Sequence, residues 1–239
     1  VEIHSKEFGR IATQNAKNVI LQKIREEERK VLYDQYYGME KEVVTGIVQR
    51  VMGKNVSINL GKADAILAEN EQVRGEEFHP TEHIKVYILE VKDTPKGPRI
   101  QVSRTHPGLV KRLFESEVAE VRDGTVEIKS IAREAGSRTK IAVWSNDPDV
   151  DPVGACVGMN GARVNSIVEE LRGEKIDIIN WDENPAILIE NALSPAKVIA
   201  VMADPEEKTA LVVVPDYQLS LAIGKEGQNA RLAARLTGF

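Results

Sequence analysis

The sequence predicts a multidomain α+β fold: a helical N-terminal tail, a small five-stranded barrel and a pair of repeated α/β units. Three observations predict it. Apolar residues of the opening segment recur at helical spacing, residues 38–106 switch to short β-branched runs, and a glycine-centred motif returns 66 positions after its first appearance.

Composition bounds what the chain can do. Its 239 residues, 42% hydrophobic and 5% aromatic, exceed one ordinary domain and suit two or three small ones. With 32 Lys plus Arg against 37 Asp plus Glu, the net charge of −5 excludes a globally basic nucleic-acid coat. Residues 107–182 alone carry fourteen acidic against ten basic groups, so any anion binding must come from local sites. No apolar run approaches the roughly 18 residues of a membrane span. The single Cys156 excludes an internal disulfide framework and a cysteine-built zinc site, and fits a reducing cytoplasm. Beginning at Val1 without a signal-peptide pattern, the sequence reads as a piece of a longer protein.

Residues 1–37 read as a helix. Phe8, Ile11, Ala12, Ala16, Val19, Ile20 and Ile24 recur at three- and four-residue steps and make one apolar stripe. Beyond it the charged run Arg25–Lys30 continues as a solvated helix toward Tyr36. A long helix with no partner before it suits the tail of an upstream domain.

Residues 38–106 read as strands. Val43–Val48 is β-branched and interrupted by Gly46, the usual mark of a bulge or bend. After a turn at Gly53-Lys54, Asn55–Gly61 alternates polar and apolar residues; Ala63–Leu67, Ile84–Val91 and Arg99–Val102 follow. Five short strands in this span suggest a closed barrel of the OB type.

The remainder is an internal repeat, with units at 107–182 and 183–239. Val157-Gly158-Met159-Asn160-Gly161-Ala162-Arg163-Val164 matches Ile223-Gly224-Lys225-Glu226-Gly227-Gln228-Asn229-Ala230. Each copy follows two strand candidates, 125–131 with 139–144 and 198–203 with 209–214, and each precedes a helical stripe. The first unit closes on a strand at 175–181; the second stops at Phe239, before its last strand.

The G-x-x-G spacing has a mechanical purpose. Without Cβ atoms the loop approaches a sugar-phosphate backbone closely, and the amides of the next helix face phosphate. This is the clamp of the KH module, which holds about four nucleotides. A plain helix–turn–helix explains one such loop, but two copies in matching contexts favour the clamp. A P-loop would need glycine where Leu219 stands and Ser or Thr where Glu226 stands, and Gly154, Gly158 and Gly161 miss the Rossmann spacing. Asp147, Asp149 and Asp151 resemble the start of a calcium loop, but Pro152 and Gly158 occupy positions that require glycine and glutamate, which leaves a solvated loop. His79 and His83 lack the zincin context. Cys156 reads as a buried structural thiol. Catalytic, metal and cofactor sites are therefore expected to be none.

The order of modules and the stretches Asp151–Val164, Gly136–Val143 and Gln218–Ala234 resemble the NusA family of bacterial transcription factors, across essentially the whole chain. The resemblance implies an S-one-type OB barrel, two KH domains of type II, and the tail of an N-terminal polymerase-binding domain. It implies a non-enzymatic, cytoplasmic, monomeric factor that contacts single-stranded nascent RNA beside bacterial RNA polymerase, held there mainly through the missing N-terminal domain. It also implies other Nus antitermination factors as partners, no membrane, and action on pausing, termination and antitermination. RNA contact is expected from Gly158, Met159, Asn160, Gly161 and Arg163, and from Gly224, Lys225, Glu226, Gly227, Gln228, Asn229 and Arg231. Met52 stands where many such barrels carry an aromatic, and the barrel offers only Phe78 and Tyr87 for stacking, so the KH pair is expected to dominate. Two alternatives stay open: the KH and S-one appendage of a phosphorolytic exoribonuclease, and a protein-docking scaffold.

Overall fold

A computed structural model describes residues 9–239, so Phe8 of the predicted stripe lies outside the described residues. Helix α1 (Arg10–Tyr37) runs unbroken through the charged segment. Its first half carries Ile11, Val19, Ile20 and Ile24 exposed, without a partner among the described residues. Its last turns pack Leu32, Tyr33 and buried Tyr36 against the barrel core. The Tyr36 hydroxyl donates to the Leu60 carbonyl at 3.1 Å, which pins the helix end.

Five strands form the closed barrel: β1 (Val43–Met52), β2 (Asn55–Asn59), β3 (Asp64–Leu67), β4 (His83–Lys92) and β5 (Arg99–Ser103). They are ordered β1-β2-β3-β5-β4, with β4 returning to β1, and only β3 with β5 is parallel. Ile58, Ala65, Leu67, Val86, Ile88, Ile100 and Val102 point inward and are fully buried, so the alternation in sequence becomes the barrel core. The expected bulge at Gly46 falls elsewhere, between Val48 and Arg50. Gly46 is glycine for packing: a Cβ there would stand 2.3 Å from Ile58 Cγ2.

The first repeat unit comprises α2 (Pro107–Glu117), α3 (Ala119–Arg122), β6 (Val126–Glu134), β7 (Arg138–Ser145), α4 (Pro152–Val157), α5 (Ala162–Glu170) and β8 (Lys175–Asn180). Its sheet is ordered β6-β7-β8, and the α4–α5 crossover brings β8 parallel to β7. The second unit repeats the plan with α6 (Pro185–Ala192), β9 (Ala200–Asp204), β10 (Thr209–Val213), α7 (Asp216–Ile223) and α8 (Gln228–Thr237), and its sheet has two strands.

The modules are joined by buried polar contacts. Arg104, 1% exposed, makes two 2.8 Å bonds to Glu76 within the barrel and reaches Glu170 of α5 at 3.4 Å. Between the units, α6 and α8 lie on the outer face of the first sheet, where Leu188, Ile189, Leu232, Ala233 and Leu236 meet Ala132, Ala142 and Ile179. The fully buried Lys140 ammonium donates to Asp177 at 3.0 Å and to the Ser194 carbonyl at 2.7 Å, so its charge is paired and its remaining capacity crosses the junction.

Candidate nucleic-acid interface

The two glycine loops share one backbone path. Gly158 has φ 77° and ψ 173°, and Gly224 has 78° and 171°. The third loop residues, Asn160 and Glu226, are left-handed at φ 52° and 54°; Gly161 and Gly227 follow at φ 76° with ψ 13° and 12°. The first glycine lies in a region that only glycine populates readily, and the loops turn each chain straight into α5 or α8. Met159 is 86% exposed, and Asn160, Lys225 and Glu226 are exposed beside it. Lys225 makes no ion pair among the described residues, so its ammonium is available to an anion.

The other expected contacts are placed differently. Arg163 spends its guanidinium on Glu120 of α3 at 2.9 Å and on the Ala155 carbonyl of α4 at 2.7 Å. Asn229 is 2% exposed, and its amide donates to the carbonyls of Leu193 and Ala222, both at 3.0 Å. Gln228 donates to Glu134 at 2.8 Å and to Ser137 at 2.7 Å, and Arg231 forks onto the same Glu134 carboxylate. Asn229 is thus withdrawn from solvent, and the heads of Arg163, Gln228 and Arg231 are engaged within the protein. Arg163 and Arg231 keep part of their side-chain surface, 34% and 44%, while their guanidinium groups are held by carboxylates.

Beside α4 the structure places a groove that sequence spacing does not reveal. About 530 Å³ in volume, it is lined by Val153 of α4 and Ile178 and Asn180 of β8, and by Asn191, Ser194 and Lys197 of the second unit. Asn191 Nδ2 donates to the Asn180 carbonyl at 3.1 Å, fixing one wall on the other. No local signal marks Asn191 or Lys197, because the second unit contributes them across the junction.

The barrel aromatics are spoken for. Tyr87 is 7% exposed and stacks on His106 at 4.6 Å between ring centres, and half-buried Phe78 lies under the Arg172 guanidinium at 5.3 Å. In the acidic loop the Asp147 carboxylate accepts the Asp149 amide at 2.9 Å, the hydrogen bond of a turn. His79 and His83 are exposed. Cys156 is fully buried, and burial pushes its thiol up to about 11, which keeps it protonated and inert at neutral pH.

Three family models match stretches of the chain. The family model of the NusA-like first KH domain matches residues 104–181, that of the NusA-like second KH domain residues 185–239, and that of the NusA N-terminal domain residues 1–30. The Mycobacterium tuberculosis transcription termination/antitermination protein NusA is 48% identical over 241 aligned residues, covering 97% of this chain and 70% of that protein. The chain belongs to the NusA family. The NusA of Bacillus subtilis is 59% identical over 239 residues, and that of Thermus thermophilus 46% over 238. The chain spans 64% and 62% of the length of these two NusA proteins. The two KH matches fall on the repeat units that carry the G-x-x-G loops, and the N-terminal match falls on the segment leading into and through the exposed part of α1.

Proposed function

We propose that this chain is the RNA-binding part of a cytoplasmic bacterial transcription elongation factor. Its two KH clamps hold single-stranded nascent RNA near RNA polymerase, and through that hold it modulates pausing, termination and antitermination. The observation that carries this reading is the pair of G-x-x-G loops with the same dihedral angles, set on two units that share one core. In this reading Gly158–Gly161 and Gly224–Gly227 approach the phosphates, Lys225 adds charge, and the groove between Val153 and Asn191 receives bases. Polymerase and the other Nus antitermination factors are its protein partners, with polymerase held mainly through a preceding domain; it acts as a monomer and catalyses nothing.

Titration with a random single-stranded RNA pool tests the proposal. The slope of log affinity against log salt should be about −2 to −3, as three or four phosphate contacts on a single strand require. Replacing Met159 and Asn160, or Lys225 and Glu226, by paired aspartates should weaken binding at least tenfold without altering circular dichroism. Unchanged affinity in both double variants would remove the clamps from the function.

A further inference from the structure

The repeat itself carries the next step. Arg163 and Asn229 stand 66 positions apart, as do Ala155 and Leu221, and each side chain donates to the carbonyl of its own pair member: Arg163 Nη1 to Ala155 at 2.7 Å, Asn229 Nδ2 to Leu221 at 3.4 Å. Those carbonyls lie in the last turns of α4 and α7, where no intrahelical partner remains for them. Both residues also press on the first loop glycine. A Cβ at Gly158 would lie 2.8 Å from Arg163 Cγ, and one at Gly224 2.8 Å from Asn229 Cβ.

One residue is a cation and the other a neutral amide, yet each reaches back to the matching carbonyl of the preceding helix, closely in the first unit and at longer range in the second. What the two share is the link back to the preceding helix, since an amide supplies no charge to a phosphate. We infer that Arg163 and Asn229 are positioning residues, latches that hold the G-x-x-G loops in their clamping shape, and that neither is a phosphate ligand. The inference rests on the RNA-clamp reading above and extends it. It also separates the two loops. The second latch is neutral and buried, and draws further support from Leu193 and Ala222. The first is ionic and one-third exposed, anchored by Glu120 at 2.9 Å. The shape of the first loop therefore depends on a carboxylate outside it.

Glu120→Gln in the full chain decides the matter, because the two roles predict opposite signs. If Arg163 were a phosphate ligand, freeing it from Glu120 would strengthen RNA binding. As a latch, it loses its anchor, and affinity should fall about threefold to tenfold. Arg163→Gln should weaken binding about tenfold while leaving the salt slope unchanged; a slope shallower by about 0.7 would mark a lost phosphate contact and overturn the proposal. Lys225→Ala, which removes a cation that has no ion-pair partner among the described residues, should show that change of slope and serves as the comparison. If the unsubstituted chain binds no RNA, the clamp reading fails instead. The latch is then read directly in amide hydrogen exchange: Glu120→Gln should accelerate exchange at Asn160 and Gly161, and an unchanged rate there overturns it.

Discussion

The guanidinium of Arg231, on α8 of the second unit, forks onto the carboxylate of Glu134, at the end of β6 in the first, with Nε–Oε1 at 2.5 Å and Nη2–Oε2 at 3.1 Å. Gln228, immediately after the second glycine loop, donates to the same carboxylate. Hydrogen bonding from Arg231, then from Gln228, holds the Glu134 carboxyl below the usual carboxylate range. One acidic side chain of the first unit thus orients the helix that follows the second glycine loop.

Glu134→Gln should therefore loosen the spacing between the clamps without harming either. Affinity for an RNA long enough to reach both loops should fall severalfold, because the gain in effective concentration depends on their fixed separation. Affinity for an oligonucleotide that fits one loop should not change. Equal losses on long and short RNA, measured by fluorescence anisotropy, would mean that Glu134 acts on the clamp itself.

The loop glycines should differ in what they tolerate. Gly224 has φ 78° and ψ 171°, and a Cβ there would come within 2.7 Å of the Asn229 backbone nitrogen. Gly227 is left-handed, and the nearest atom to its Cβ would be Arg231 Nη1 at 3.9 Å. Gly224→Ala should cost about 3 kcal/mol or more, and Gly227→Ala about 1–2 kcal/mol from the left-handed backbone alone. Urea unfolding of the two variants checks the order; equal costs would show that movement of α8 relieves the crowding at Gly224.

Arg104 should be the most sensitive single position in the barrel–first unit junction. It and Glu76 are 1% and 5% exposed in their side chains, so removing the arginine strands a buried carboxylate. Arg104→Ala is expected to cost about 3–5 kcal/mol. Adding Glu76→Gln should recover part of that loss, because the stranded charge disappears. A double variant no more stable than Arg104→Ala would show that lost packing, and not the orphaned charge, sets the cost.

Much of this architecture is legible in sequence because it rests on local periodicity. The alternation of Asn55–Asn59 becomes β2, and the matched glycines become matched loops, since their φ values demand glycine wherever they occur. Side-chain partnership is not local. Arg231 meets Glu134 across 97 positions and Arg163 meets Glu120 across 43, so a basic residue beside a glycine loop looks free in sequence when its charge is already spent. Asn229 reads as a loop-side polar residue, but its amide is buried against the carbonyls of Leu193 and Ala222, which lie 36 and 7 positions before it. Gly46 misleads for a related reason: the Ile58 side chain that excludes a Cβ there lies on the neighbouring strand.

The junction between barrel and first unit should also respond to pH through His106. Its Nδ1 accepts the Gly108 amide at 2.9 Å, capping α2, while its ring stacks on Tyr87. The residue is exposed at its edge, but partial burial of the ring, which outweighs the opposing charge of Glu71 and is helped by that of Arg133, holds its pKa below the ordinary histidine value. The cap needs the neutral ring, because a protonated Nδ1 cannot accept. The unfolded chain takes up a proton near pH 6.5 and the folded one only at lower pH, so acidification favours unfolding. The stabilisation is complete above the unfolded value and is lost as pH falls through the folded one. Denaturation midpoints should therefore drop as pH falls below the unfolded histidine value of about 6.5. His106→Asn keeps a capping acceptor without a titrating group. It should flatten that part of the profile, although the lost stacking lowers stability at every pH. An equal drop in the variant would place the acid sensitivity in the carboxylate pairs and not in this cap.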